Sequence, residues 1–107
     1  MKIEEILENK CLKLTLSGNS LKNFEITLPE LIYQSYKKHR PEKLVVDTTS
    51  VDHILIREDL SNILGEKLAS LFCNDDLEFE VFGNAEIFND KVVKKAAENG
   101  LTIILKY

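Results

Sequence analysis

Three adjacent apolar side chains, Leu44-Val45-Val46, end abruptly at Asp47. So short a run, apolar on both faces, suits a strand covered on both sides, as in a parallel sheet. Polar residues follow, and a helical pattern begins near Glu58. Parallel strands need crossover connections, usually helices, so this stretch commits the chain to alternating strands and helices. In open α/β sheets, ligands and partners usually meet the carboxyl ends of such strands. The segment 47–58 is therefore the first place to look for function.

The flanking sequence supplies the other elements. Leu12, Leu14 and Leu16 alternate with Lys13, Thr15 and Ser17, as in a half-buried strand. A weaker alternation covers 2–7, and Glu8-Asn9-Lys10 between the two turns the chain, which reads as a hairpin. Thr27-Leu28-Pro29-Glu30 reads as a helix start. Thr27 is its cap, Glu30 closes a capping box and Pro29 sits in the first turn. Leu28, Leu31, Ile32 and Tyr36 share one face of that helix. Lys37, Lys38, His39 and Arg40 complement the dipole at its end, where His39 is expected to be exposed. Pro41 prevents continuation.

Leu60, Ile63, Leu64, Leu68, Leu71 and Phe72 form the strongest amphipathic pattern in the chain. Gly65 lies inside it, at a cost of about 1 kcal/mol relative to Ala, which close packing on the sheet would explain. A strand is expected over 77–82, a helix over 86–99 and a final strand over 101–105. Phe88, Val92, Val93, Ala96 and Ala97 lie on or near one face of that helix, and Asn99-Gly100 stops it. The fold class is α/β: a mixed, mostly parallel sheet of about five strands, with an N-terminal antiparallel hairpin and three helices. Strands in sequential order, with the N-terminal one as an antiparallel edge, are the simplest arrangement. The whole of 1–107 reads as one domain.

A net charge of −4 and a pI near 5.2 argue against a general nucleic-acid or anionic-membrane binder. No apolar run approaches the ~18 residues of a membrane span. Glu4, Glu5 and Glu8 near the N-terminus do not fit a signal peptide, so a cytoplasmic location is expected. Cys11 and Cys73 make no Cys-x-x-Cys and read as free thiols.

Three stretches together resemble the STAS, or SpoIIAA-like, domain family, in particular its small stand-alone bacterial members. Leu44-Val45-Val46-Asp47 is similar to that family's central strand. Arg57-Glu58-Asp59-Leu60-Ser61-Asn62-Ile63-Leu64-Gly65-Glu66-Lys67-Leu68-Ala69 is similar to the helix after it. Val81-Phe82-Gly83-Asn84, with Ala96-Ala97-Glu98-Asn99-Gly100-Leu101-Thr102-Ile103, looks like the penultimate strand and the last helix–strand. The resemblance implies a regulatory, protein-binding module. In anti-sigma-factor antagonists of this family, a serine at the start of the helix after the central strand is phosphorylated, within an Asp-Ser-Ser-Gly pattern. The corresponding place here holds Ile56-Arg57-Glu58-Asp59, with neither hydroxyl nor glycine. The family's serine switch is therefore not expected in this chain.

The residues themselves give little chemistry. Ser50, Asp52 and His53 are close in sequence but lack a nucleophile-elbow pattern, so no enzyme activity is expected. Asp47, Asp52 and His53 are plausible ligand types, yet without further His or Cys no metal site is expected, and no cofactor. One glycine at Gly83-Asn84 is not a phosphate loop. Arg57 precedes an acidic helix start and suits either a surface ion pair or an anionic partner group. The expected role is a non-catalytic protein-interaction module with an unknown protein partner or a second copy. Its contact residues are Asp47, Thr48, Thr49, His53, Ile54, Leu55, Ile56 and Arg57. The alternative is a carrier or sensor of an apolar, lipid-like small molecule, which needs a closed apolar pocket of roughly 300 Å³ or more.

Overall fold

The computed structural model describes residues 2–18, 23–51, 58–72, 77–83 and 88–106. In chain order these form β1 (Lys2–Glu8), β2 (Cys11–Gly18), α1 (Phe24–His39), β3 (Lys43–Val51), α2 (Glu58–Phe72), β4 (Glu78–Phe82), α3 (Asp90–Glu98) and β5 (Ile103–Lys106). The strands lie in sequential order; β1 is antiparallel to β2, and every other neighbouring pair is parallel. The α/β class, the hairpin and the strand order are those expected from the sequence.

Parallel neighbours joined in sequence by right-handed crossovers put every helix on one face of the sheet. The burial pattern agrees. Leu12, Leu14 and Leu16 on β2, Leu44 and Val46 on β3, and Val81 on β4 are all inaccessible to solvent. They join Ile32 of α1, Leu64, Leu68 and Phe72 of α2, and Val92 and Ala96 of α3 in one core. Tyr33, Tyr36, Phe72 and Phe79 close it with edge-to-face and stacked contacts 5.2–5.9 Å between ring centres. Among the described residues the opposite sheet face carries no helix. Val45 points there and is still buried, flanked across the ladder by Lys13 and Glu80. The apolar run at 44–46 is thus covered by a helical layer on one side and by neighbouring side chains on the other, not by two helical layers.

Several boundaries differ from expectation. Helix α1 begins at Phe24, a turn ahead of Thr27; Phe24 is buried, and its apolar burial recruits the extra turn. Asn23 caps it in a left-handed conformation with no side-chain bond, and Thr27 donates its hydroxyl to the Asn23 carbonyl at 3.1 Å instead of capping. Pro29 therefore lies inside the helix, with no N–H to offer the Glu25 carbonyl. Helix α3 begins at Asp90, later than expected, because the Asn89 side chain accepts the N–H groups of Lys91 and Val92. Phe88 is fully buried just ahead of it, while Ala97 is exposed. Ile63 is 40% exposed and lies off the buried face of α2. Gly65 packs on α3, not on the sheet.

Candidate functional site

Strand β3 does not stop at Asp47. Its pairing with β4 ends there, opposite Phe82, but its pairing with β2 resumes at Ser17–Ser50 and Gly18–Val51 after a shift in register. Thr48 and Thr49 together stand against Leu16, which is a β-bulge. A bulge reverses the alternation beyond it. Thr48 is fully buried and donates its hydroxyl to the Phe82 carbonyl at 3.0 Å, Thr49 and Ser50 are both exposed, and Val51 returns to the core. The Asp-Thr-Thr-Ser run looked like a turn because such residues favour turns. Here the ladder with β2 and the burial of Val51 outweigh that preference.

Asp47 is half-buried on the uncovered face. Its Oδ1 accepts the Thr49 N–H at 2.9 Å and the Thr49 hydroxyl at 2.6 Å. Burial pushes the Asp47 carboxyl up, but the two Thr49 bonds and nearby Lys13 outweigh it and hold the group below its usual value. Asp47 and Thr49 thus form a fixed, charged pair at the carboxyl end of the central strand. Of the other expected contact residues, Thr48 is taken off the surface by its burial. His53, Ile54, Leu55, Ile56 and Arg57 lie outside the described residues, as do Asp52 and Cys73. Cys11 is a free, half-buried thiol. Among the described residues no three metal-ligating side chains come together, and no helix is long and apolar enough to cross a membrane.

Two charged clusters escaped the sequence reading. On the uncovered face, Glu80 is almost wholly buried between Lys106 at 2.7 Å and Lys43 at 3.0 Å. Those two bonds, Lys106 first, hold the Glu80 carboxyl below its usual value, and Glu80 in turn raises Lys43. At the β1–α1 junction, Glu5 accepts from the Ser35 hydroxyl at 2.9 Å and from His39 Nε2 at 2.8 Å, with Lys38 at 3.5 Å. The bond from His39, then that from Ser35, lower the Glu5 carboxyl. His39 is therefore half-buried in an ion-pair cluster, not simply exposed at a helix end. The spacing of Ser35, Lys38 and His39 already put them on one helical face; their carboxylate partner became visible only with the pairing of β1. Lys37 and Arg40 lie over the rings of Tyr33 and Tyr36, each 5.7 Å away.

Among the described residues, two open surface depressions are lined mainly by polar and charged side chains. One of about 270 Å³ lies between α2 and α3 beside Asn62, Lys91, Lys94, Lys95 and Glu98. Another of about 240 Å³ lies between β1 and α1. The chain matches no protein-family model and no curated protein.

Proposed function

We propose that this chain is a non-catalytic protein-interaction domain of the STAS-like kind, and that it meets its partner at the carboxyl end of β3. The observation that carries this reading is the β3 bulge. It turns Thr49 and Ser50 outward together beside the Asp47 carboxylate, at the sheet edge from which 52–57 departs. Open α/β sheets usually meet ligands and partners at that edge. With both bonds to Oδ1 coming from Thr49, Asp47 presents a fixed anion and not a base poised to move a proton. Segment 52–57 adds Ile54, Leu55 and Ile56, three adjacent apolar residues. Buried Ser61 supports the absence of the family's serine switch, since its hydroxyl accepts from Asn89 Nδ2 at 3.3 Å and is turned away from a kinase. A carrier would need a closed apolar cavity; the depressions between α2 and α3 and between β1 and α1 are open and partly polar.

Native mass spectrometry of protein purified from cells tests the reading. A stoichiometric protein mass is expected, lost from Leu55→Asp and Thr49→Arg while circular dichroism is unchanged. A retained small molecule in its place, or a partner kept by both folded variants, overturns it. Stoichiometric phosphate on Ser50 or Ser61 that releases the partner would show that a serine switch operates after all.

A further inference from the structure

We propose that β1 is a dimer edge. Two copies of the chain join their β1 strands antiparallel about a two-fold axis at Glu5, making one continuous sheet. This surface is distinct from the carboxyl end of β3, and the inference stands or falls separately from the function proposed above.

Strand β1 lies at the edge of the sheet and carries Ile6 and Leu7 on opposite faces, 49% and 48% exposed. Sheet edges are commonly blunted by proline, bulges or brevity. β1 has seven residues, no proline and an unbroken register with β2. It does carry charge, in Lys2, Glu4, Glu5 and Glu8, and that charge selects the pairing it accepts.

The hairpin fixes which backbone groups face outward. Asn9 and Lys10 both have positive φ, 51° and 64°, the signature of a two-residue type I′ turn. Glu8 and Cys11 flank that turn as a hydrogen-bonded pair, and bonded pairs alternate along an antiparallel ladder. The backbone groups of Glu8, Ile6, Glu4 and Lys2 therefore face β2, and those of Leu7, Glu5 and Ile3 face away. The parity continues across the turn: the Lys10 carbonyl turns toward β3 and accepts the N–H groups of Glu42 at 2.8 Å and Lys43 at 3.2 Å.

A second copy centred on Glu5 sets Ile3 against the other Leu7 and Glu5 against itself, so every outward N–H and C=O of these residues finds a partner. The same register sets Lys2 against the other Glu8, an opposite-charge pair directly across the ladder. Centring on Glu4 sets Glu4 against itself, with Lys2 3.3 Å from Glu4 inside each copy, and centring on Ile6 sets Glu4 against Glu8; neither register gives an opposite-charge pair across the ladder. At the Glu5 axis the two carboxylates meet, but each is held within its own copy by Ser35, His39 and Lys38. Leu7 also has a seat. Opposite it, Ile3 borders the groove of about 240 Å³ whose wall includes Leu31 of α1. The register that pairs Lys2 with Glu8 brings an exposed leucine to a groove bordered by the apolar side chains of Ile3 and Leu31 among polar neighbours.

Sedimentation at tens of micromolar should give twice the 12.3 kDa chain mass. Leu7→Asp should raise the dissociation constant at least about tenfold without unfolding the hairpin, because Leu7 is half exposed in the single chain. Glu8→Lys should weaken the dimer, and adding Lys2→Glu should restore it, a rescue that a purely structural effect does not give. Amide exchange supplies an independent measure: the Ile3, Glu5 and Leu7 amides should gain protection with concentration, while that of Ile6 should not. A monomer at every concentration, a dimer indifferent to Leu7→Asp, or Ile3, Glu5 and Leu7 amides that never gain protection would overturn the proposal.

Discussion

Gly65→Ala probes the closest approach in the helical layer. A Cβ at that position would lie 2.7 Å from the Val92 carbonyl oxygen, 2.9 Å from Lys95 Cβ and 3.2 Å from Ala96 N. Two of those atoms are backbone and one is a Cβ, so none can rotate aside. Since interiors are close-packed, α2 and α3 would have to part by about 0.7 Å to reach ordinary contact. Overpacking of this kind costs about 1–3 kcal/mol. Replacing a mid-helix glycine by alanine returns about 1 kcal/mol of helix propensity. The steric cost outweighs the gain over most of that range, and a net loss of up to about 2 kcal/mol is expected. Urea unfolding would show it as a lower midpoint at unchanged slope, and the melting temperature should fall by about 4–8 °C per kcal/mol. Glu66→Ala is the control. Its exposed pair with Lys95 spans 3.3 Å and is worth at most about 1 kcal/mol. If Gly65→Ala matches or exceeds the parent midpoint, propensity has won and α2 does not meet α3 at this distance.

Leu68 is fully buried between α2 and the sheet, so Leu68→Ala should cost about 2–5 kcal/mol by denaturant titration, whereas Lys67→Ala, which removes a pair with Glu30, should cost at most about 1 kcal/mol. Asn89→Ala removes the α3 cap and the bond to Ser61 together and should cost about 1–2 kcal/mol by the same assay. Glu5, Asp47 and Glu80 all have lowered folded-state pKa values, so the stability they contribute is complete above the unfolded carboxylate range of about 4 and is lost as pH falls through their folded values. Thermal melts should accordingly hold steady from neutrality to about pH 5 and decline below it, and Glu80→Gln should flatten that decline; an unchanged acid limb would show that Glu80 is not the coupled group.

The sequence carried the fold because its strongest signals are local. The leucine alternation of β2, the apolar run at 44–46 and the 3.6-residue spacing of α2 each need only their own segment to be read. Element ends were less legible because tertiary burial sets them: Phe24 draws a turn onto α1, and Val51 draws β3 past a run of turn-forming residues. Asn89, by contrast, is a capping residue followed by Asp90, a local signal that could have fixed the start of α3. The charged clusters have no local signature. Glu5 and His39 are distant in sequence, and only the antiparallel placement of β1 brings them together. Gly65 could be read as a close approach but not as an approach to α3, because nothing in a single helix says which neighbour it faces.

The placement of charge also explains how a sheet covered on one side keeps its other side in water. Lys13, Lys43, Asp47, Glu78, Glu80 and Lys106 occupy the uncovered face, with Glu80 locked between two lysines and Val45 shielded beside it. Charges that already satisfy one another leave little for a partner to gain, since any contact must first break bonds such as the 2.7 Å pair of Lys106 and Glu80. The ends and edges differ. At the carboxyl end of β3, the bulge leaves two side chains turned outward, and along β1 the outward backbone groups of Ile3, Glu5 and Leu7 can be matched by those of a second copy. Two separate contact surfaces on one small sheet would let dimerisation and partner binding proceed independently, and Leu7→Asp with Leu55→Asp separates them: each should weaken one association and leave the other intact.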